Sequence, residues 1–323
     1  VTTTAVKPTQ RAAEISAPVA ISILICTRNR PEDLALALPG ILAQNYPDYE
    51  VVLIDQSTDD RSAHWTEQHF PDHSRLRYIR TQTVGLSIAR NLALTEARNE
   101  LCAFTDDDTE VPPDWLQNIA VAFAAYPDAG VIFSPVHAPP DLMGTPGLRF
   151  PSFYFDEARP LRYKEIYGMG ANMALRKSTW QKAGQFDALL GPGAPLPGSD
   201  EHDWLYRVHL SGAGVRLNPD NPIIHRAFRK EAEWNGLTQK YAYGDAAFAM
   251  KHLRCGDLSV LPMIAHRLFY LGARGLLRIA QRDPGWRYEC NYVRGYWTGL
   301  WGSLSYPIDR RSRLFLPKRA GKP

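Results

Sequence analysis

The sequence predicts an α/β fold, a mostly parallel sheet flanked by helices, followed by a helical and basic C-terminal extension. Three observations predict it. Short, nearly all-apolar runs such as Val19–Cys26 (VAISILIC) and Tyr49–Asp55 (YEVVLID) alternate with segments of helical periodicity. A run without polar alternation marks a strand covered on both faces, and strands alternating with helices mark a parallel sheet. Two of the runs end in carboxylates, Asp55 and Asp106–Asp108, where such sheets place their ligands. Charge then divides the chain: residues 226–323 hold 18 Lys+Arg against 7 Asp+Glu, net +11, while residues 1–225 have a net of −8.

Residues 1–18 read as a loose, polar leader without the apolar stretch of a signal peptide. Val19–Cys26 is the first strand, broken by Thr27-Arg28-Asn29-Arg30-Pro31. Pro31, Glu32 and Asp33 open a helix with apolar positions Leu34, Leu38, Ile41 and Leu42 at helical spacing. Tyr49–Asp55, Arg75–Arg80, Leu101–Thr105 and Gly130–Val136 read as further strands, and Gly85–Arg98 and Trp115–Ala125 as helices. From residue 137 prolines exclude long regular elements, leaving short helices at Lys177–Ala183 and Asp203–Ser211. The division expected is a domain over 19–226, in halves 19–136 and 137–226, and an extension over 227–323.

Composition removes other classes. With 45% hydrophobic and 22% charged residues, the 323-residue chain is neither disordered nor fibrous. Cys26, Cys102, Cys255 and Cys290 lie far apart with no Cys-x-x-Cys pair, against a disulfide framework or zinc site and for a reducing compartment. No window reaches about 18 uninterrupted apolar residues, so no membrane span is expected. The expected location is cytoplasmic, with the inner face of the plasma membrane open to the basic tail.

Phe104-Thr105-Asp106-Asp107-Asp108-Thr109 is the densest chemical feature. Three adjacent carboxylates at a buried strand end need a counter-charge. A divalent ion carrying a diphosphate would supply it, since hard cations favour carboxylate and phosphate oxygens. Alternation sets Asp106 and Asp108 on one side and Asp107 on the other. Alone, the triplet reads as well as a solvated acidic turn ahead of Pro112.

Its surroundings resemble the family 2 glycosyltransferases, inverting enzymes of GT-A fold, over roughly Ile21–Arg226. ISILICTRNR (21–30) is similar to the family's first strand and nucleotide loop, and QNYPDYEVVLID (44–55) to its second strand. GLSIARN (85–91) resembles the segment whose arginine approaches the donor, and Asp106-Asp107-Asp108 the Asp-x-Asp metal motif. GANMALR (170–176) resembles a later glycine–asparagine segment, and DEHDWLYR (200–207) the acidic base motif.

The resemblance implies a nucleotide-sugar donor bound by Thr27, Arg28, Asn29, Asp55, Gln56, Arg90, Asp106 and Asp107. It implies a divalent metal, Mn2+ or Mg2+, on Asp108 with Asp106 and His225. It implies a catalytic base at Glu201, with Asp200 and Asp203 as alternatives, and a glycan or lipid-linked glycan as acceptor. The chemistry agrees: a departing nucleoside diphosphate needs its charge neutralised, and an acceptor hydroxyl needs a base. Two positions depart from the family pattern. Asp200-Glu201 stands where the family usually has Glu-Asp, and Gln56 where a carboxylate often reads the nucleobase; an amide donates as well as accepts. For Arg90 a helix salt bridge, and for His225 a packed imidazole, are the alternatives.

In the tail, Arg267, Arg274, Arg278 and Arg282 are spaced 7, 4 and 4 residues apart among leucines and aromatics. That spacing suits a helix lying in a membrane interface, or an amphipathic helix packed on the domain. Trp286, Tyr288, Tyr292, Tyr296, Trp297 and Trp301 follow, with Gly295, Gly299 and Gly302 weakening any continuous helix. The partners this segment suggests are an anionic membrane surface or a second copy of the chain. No nucleic-acid motif accompanies it. Two rivals remain: a nucleotidyltransferase, although residues 21–40 contain a single glycine, Gly40, and an inactive nucleotide-binding subunit.

Overall fold

The computed structural model describes residues 18–162 and 165–318, so the leader lies outside it except for Pro18, as do Arg319 and Lys322. The first half runs β1 (Ile21–Thr27), α1 (Pro31–Leu42), β2 (Tyr49–Asp55), α2 (Arg61–His69), β3 (Leu76–Arg80), α3 (Leu86–Glu96), β4 (Leu101–Asp106), β5 (Thr109–Glu110) and α4 (Trp115–Ala125). There follow β6 (Ala129–Phe133), β7 (Val136–His137), β8 (Leu148–Arg149), β9 (Arg159–Pro160), β10 (Met173–Arg176), α5 (Lys177–Ala183), α6 (Asp200–Leu210), β11 (Gly214–Leu217), β12 (Ile223–His225) and β13 (Arg229–Lys230). The extension is α7 (Glu231–Arg254), α8 (Leu261–Ala265), α9 (Leu271–Ala280), α10 (Trp286–Gly302) and the pair β14 (Ile308–Asp309) and β15 (Leu314–Phe315).

The architecture is the expected α/β sheet. Eight strands lie in the order β3-β2-β1-β4-β10-β6-β11-β9. β1 pairs in parallel with β2 and β4, and β2 with β3; β10 runs antiparallel between β4 and β6. Ile21, Ile23, Leu24 and Ile25 are fully buried, as a central strand demands. The register sets Thr27 beside Asp55 and Cys26 beside Asp106. The chain leaves β1 toward β2 on one side, while β4 lies on the other. That is the switch point where open α/β sheets form their ligand crevice.

Local differences from the sequence reading have physical reasons. The strand expected over 130–136 divides into β6 and β7 because Pro135 has no N–H to give a ladder. Helix α6 begins at Asp200, not Asp203: Gly198 and Ser199 take left-handed φ of 96° and 60°, turning the chain into the helix. Asp200, Glu201 and Asp203 fill its first turn, where the helix dipole favours anions. A short three-stranded sheet, β5-β12-β7, pairs His225 with Thr109 and so carries a distant histidine to the aspartate triplet.

In the tail, packing outweighs the weakening expected from glycine. Residues 286–302 form one uninterrupted helix of 17 residues. Gly295 and Gly299 lie against α7, where a Cβ would strike the backbone of Gln239 and Tyr243. The glycines permit close packing of α7 on α10, which outweighs their weak helix propensity. Ala242, Ala246, Leu271, Tyr292, Tyr296 and Leu300 form a second small core there. No helix among the described residues is long and apolar enough to cross a membrane.

Candidate active site

A cleft of about 690 Å³ opens at the carboxyl ends of β1 and β4. Asp106, Asp108 and His225 meet on its wall, each offering a ligand atom within 4.8 Å of the others. His225 Nε2 lies 3.1 Å from Asp108 Oδ1 and 3.5 Å from Asp106 Oδ2. Burial pulls the His225 imidazole down, but its hydrogen bonds to the two carboxylates outweigh this and raise it to about 9. Burial acts the other way on Asp108, and His225 and Arg30 bring that carboxyl down to about 2. His225 Nδ1 is buried with no hydrogen-bond partner among the described residues, and Asp108 Oδ1 meets only His225 Nε2. Two carboxylates and an imidazole with ligand atoms within 4.8 Å of one another are a donor set that fits a divalent cation.

The triplet's other counter-charge is Arg30, which the sequence reading missed. Its guanidinium donates to Asp107 Oδ1 at 2.7 Å, to Asp108 Oδ2 and to Asp33. Asp107 also accepts from Thr27 Oγ1 at 2.6 Å, so it is turned toward the β1 loop, as alternation predicts. Burial raises its carboxyl to about 7 against the pull of Arg30. No periodicity singles Arg30 out; it stands at the end of a loop in the N-cap position of α1, its side chain making no cap.

Across the cleft floor, Arg90 is buried between two acids. Nη1 donates to Asp200 Oδ2 and Nη2 to Glu201 Oε1, both at 2.7 Å. Glu201 Oε1 also accepts from Gly170 N at 3.0 Å. A side chain at residue 170 would collide with both Arg90 and Glu201, so this contact needs glycine. Burial, then the neighbouring Glu201, raise the Asp200 carboxyl despite Arg90. Arg90 thus holds the acids in place, and in this arrangement its guanidinium is committed to them. Cys26 also lines the cleft, but burial raises its thiol to about 12, which removes it as a nucleophile.

The other expected donor residues are scattered around this centre. Arg28 is exposed at the cleft, and Gln56 lines it while donating to Thr83 Oγ1 and Gly85 O. Asp55 is fully buried beneath it, accepting from Tyr78 and from Ser57 N at 2.7 Å. Asn29, at φ 57°, ties the β1 loop to the β2 loop through Ser57 and Thr58. Asp203 is displaced from the chemistry. It does not line the cleft; it is fully buried, with Lys251 Nζ at 2.7 Å, His252 Nε2 at 2.9 Å and Arg207 Nε at 3.1 Å. Two cations, Lys251 and Arg207, and the His252 imidazole, which burial pushes toward its neutral form, surround this carboxylate and make it a joint between α6 and α7.

The far wall comes from the extension: Tyr241 and Asp245 of α7, Arg267, and Tyr288 and Tyr292 of α10. Each helix contributes residues four apart, so the i, i+4 spacing was the readable signal. Asp245 accepts from Ser199 Oγ and Tyr292 OH and lies 3.5 Å from His202 Nδ1.

Comparison with known proteins agrees with this geometry. The model of Glycosyl transferase family 2 matches residues 22–182. A succinoglycan biosynthesis protein of Rhizobium meliloti is 26% identical over 205 residues, 62% of this chain and 64% of that protein, so the match spans less than two thirds of that relative. A glucosyl-dolichyl phosphate glucuronosyltransferase of Haloferax volcanii is 21% identical over 67% of this chain and 72% of its own. In fold, the chain is similar to a Pyrobaculum calidifontis mannosyltransferase solved with GDP-Man and Mn2+ (TM-score 0.59, 18% identity, 88% of this chain and 90% of that one). It is also similar to residues 1–349 of S. aureus TarS solved with UDP-GlcNAc (TM-score 0.52, 16% identity, 94% and 98%). Sheet order, aspartate triplet and matched segment agree, and the chain belongs to glycosyltransferase family 2.

Proposed function

We propose that the protein transfers a sugar, with inversion, from a nucleotide-sugar donor to the hydroxyl of a glycan or lipid-linked glycan, with a divalent cation. The observation that carries this is one cleft containing both a cation donor set, Asp106, Asp108 and His225, and a carboxylate held ready by Arg90, Glu201. The neighbours solved with GDP-Man and Mn2+, and with UDP-GlcNAc, support the donor class. A cation held there, Mn2+ or Mg2+, supplies charge neutralisation for the diphosphate leaving group. Thr27 and Arg30 fix Asp107 and orient the loop beside the triplet; Gln56 presents an amide where a nucleobase would be read. Glu201 keeps Oε2 without a hydrogen bond among the described residues, free to take the proton of the acceptor hydroxyl. Asp200 holds Arg90 and hence Glu201. The 19–226 domain supplies the donor half of this site, and the extension the acceptor wall.

The test is calorimetry of UDP and GDP with manganese and with chelator. Tighter binding of one nucleotide in manganese is expected. Asp108→Asn should reduce that metal-dependent gain by at least the about 10–100-fold that outer-shell changes cost a metal site. Equal affinity with and without metal would overturn the metal role. Saturable nucleotide binding with no release of nucleoside diphosphate from any sugar donor would make the chain a binding subunit.

A further inference from the structure

The helix pair after α7 carries apolar residues on both faces, unlike an ordinary surface helix: Leu271 is buried with Ile264 and Leu268 packed on the second core, while other leucines face outward. Arg274 Nε and Arg278 Nη1 lie 3.2 and 2.9 Å from Oε1 of Glu289, which is buried on α10. Two of the four arginines expected on one face, Arg274 and Arg278, are therefore paired within the protein, with Arg274 still exposed. Apolar residues also face solvent: Phe269 is 76% exposed, Leu276 70% and Leu277 57%, with Leu261 and Tyr270 at compatible helical spacing. Trp297 and Trp301 are also exposed, one turn apart on α10. Arg282, Arg287, Arg294, Arg310 and Arg311 are exposed on the same extension. Apolar side chains with surrounding cations complement an anionic bilayer surface.

The same segment builds a chamber of about 360 Å³ that shares His202, Asp245 and Arg267 with the cleft. Arg267 lies over the Tyr292 ring, 5.3 Å from its centroid, and forms no ion pair with a described residue. The fully buried Tyr296 hydroxyl has no hydrogen-bond partner. Asp245 is already satisfied by Ser199, Tyr292 and His202. A cation without an ion pair and an orphaned hydroxyl in one largely apolar chamber point to an anionic ligand with an apolar body. Pro262 and Met263 wall the chamber, and the chain continues directly into the exposed apolar face.

We propose that the acceptor is anchored in a membrane by a lipid phosphate or diphosphate, its anionic group seated against Arg267 and Tyr296 and its lipid in the bilayer on which the Phe269–Leu277 face rests. This rests on the transferase reading above and names its acceptor class. The experiment is co-sedimentation of the full chain with phosphatidylcholine vesicles, plain or carrying equal charge as phosphatidylglycerol or as polyprenyl phosphate. Both anionic vesicles should bind, the polyprenyl phosphate ones about tenfold more tightly, the worth of a hydrogen bond to a charged group. Arg267→Gln should abolish that preference but keep charge-dependent sedimentation. The pair Leu276→Asp and Leu277→Asp should abolish sedimentation while keeping manganese-dependent nucleotide binding. Absence of vesicle binding with nucleotide binding intact overturns this proposal alone; vesicle binding without nucleotide binding overturns only the donor reading. Equal affinity for the two anionic lipids overturns the phosphate seat. If the wild type binds no vesicle and is a dimer that the double substitution splits, the face is a self-association surface and the proposal fails.

Discussion

Glu201→Gln is expected to lower turnover about 10²- to 10⁴-fold, the usual cost of removing a general base, with nucleotide affinity unchanged. The geometry explains why the two effects separate. Oε1 of Glu201 is pinned by Arg90 Nη2 at 2.7 Å and Gly170 N at 3.0 Å. A glutamine carbonyl can accept both bonds from the same place, and its amide fills the space of Oε2. Arg90, buried beneath, keeps Asp200 as its counter-ion at 2.7 Å. Shape and one of the two ion pairs of Arg90 survive, while the proton acceptor and its charge are lost. Asp200→Asn is expected to act indirectly, loosening Arg90 and through it Glu201, with a smaller fall in turnover. Turnover at saturating donor and nucleotide affinity, measured for both variants, decide the matter. Near-full turnover in Glu201→Gln with a dead Asp200→Asn would transfer the base role to Asp200.

Much of the donor side of this site is legible in the sequence because its residues end buried strands. Thr27, Asp55 and Asp106 terminate runs whose apolar character alone predicts the sheet, and parallel pairing then aligns those ends. Local alternation also predicts that Asp107 turns from Asp106 and Asp108. The acceptor side is less legible, because its residues converge through tertiary packing. Tyr241, Arg267 and Tyr292 reach the cleft only because α10 lies close on α7, and that closeness depends on Gly295 and Gly299. In sequence those glycines argue for a weakened helix; at a helix–helix seam they serve contact. The direction of the α9 arginines likewise follows from a single buried acid on another helix, Glu289. Asp203 shows a third limit. Two residues after Glu201 on the same helical turn, it looks as competent as its neighbours until Lys251 and His252 arrive from α7.

That environment makes Asp203 the site of the largest expected loss of stability. Its carboxylate is fully buried and accepts from Arg207 Nε and Nη2 at 3.1 Å each and from His252 Nε2 at 2.9 Å. Lys251, also fully buried, lies 2.7 Å from it and 2.6 Å from Asp187. Burial alone would raise the carboxyl, but Lys251, then Arg207 and His252, hold it well below the usual carboxylate range. Asp203→Ala leaves two buried cations short of a partner, and breaking a buried pair in this way costs about 3–5 kcal/mol. The folded-state pKa is depressed, so the contribution is complete above the unfolded value of about 4 and is lost as pH falls below it. Urea unfolding of wild type and variant should therefore differ by the full amount at neutral pH and by progressively less in acid. Asp203→Asn, which keeps the shape but not the charge, should fall between them. Were Asp203→Ala as stable as wild type yet inactive, the residue would belong to the catalytic machinery after all, and its assignment as the α6–α7 joint would fail.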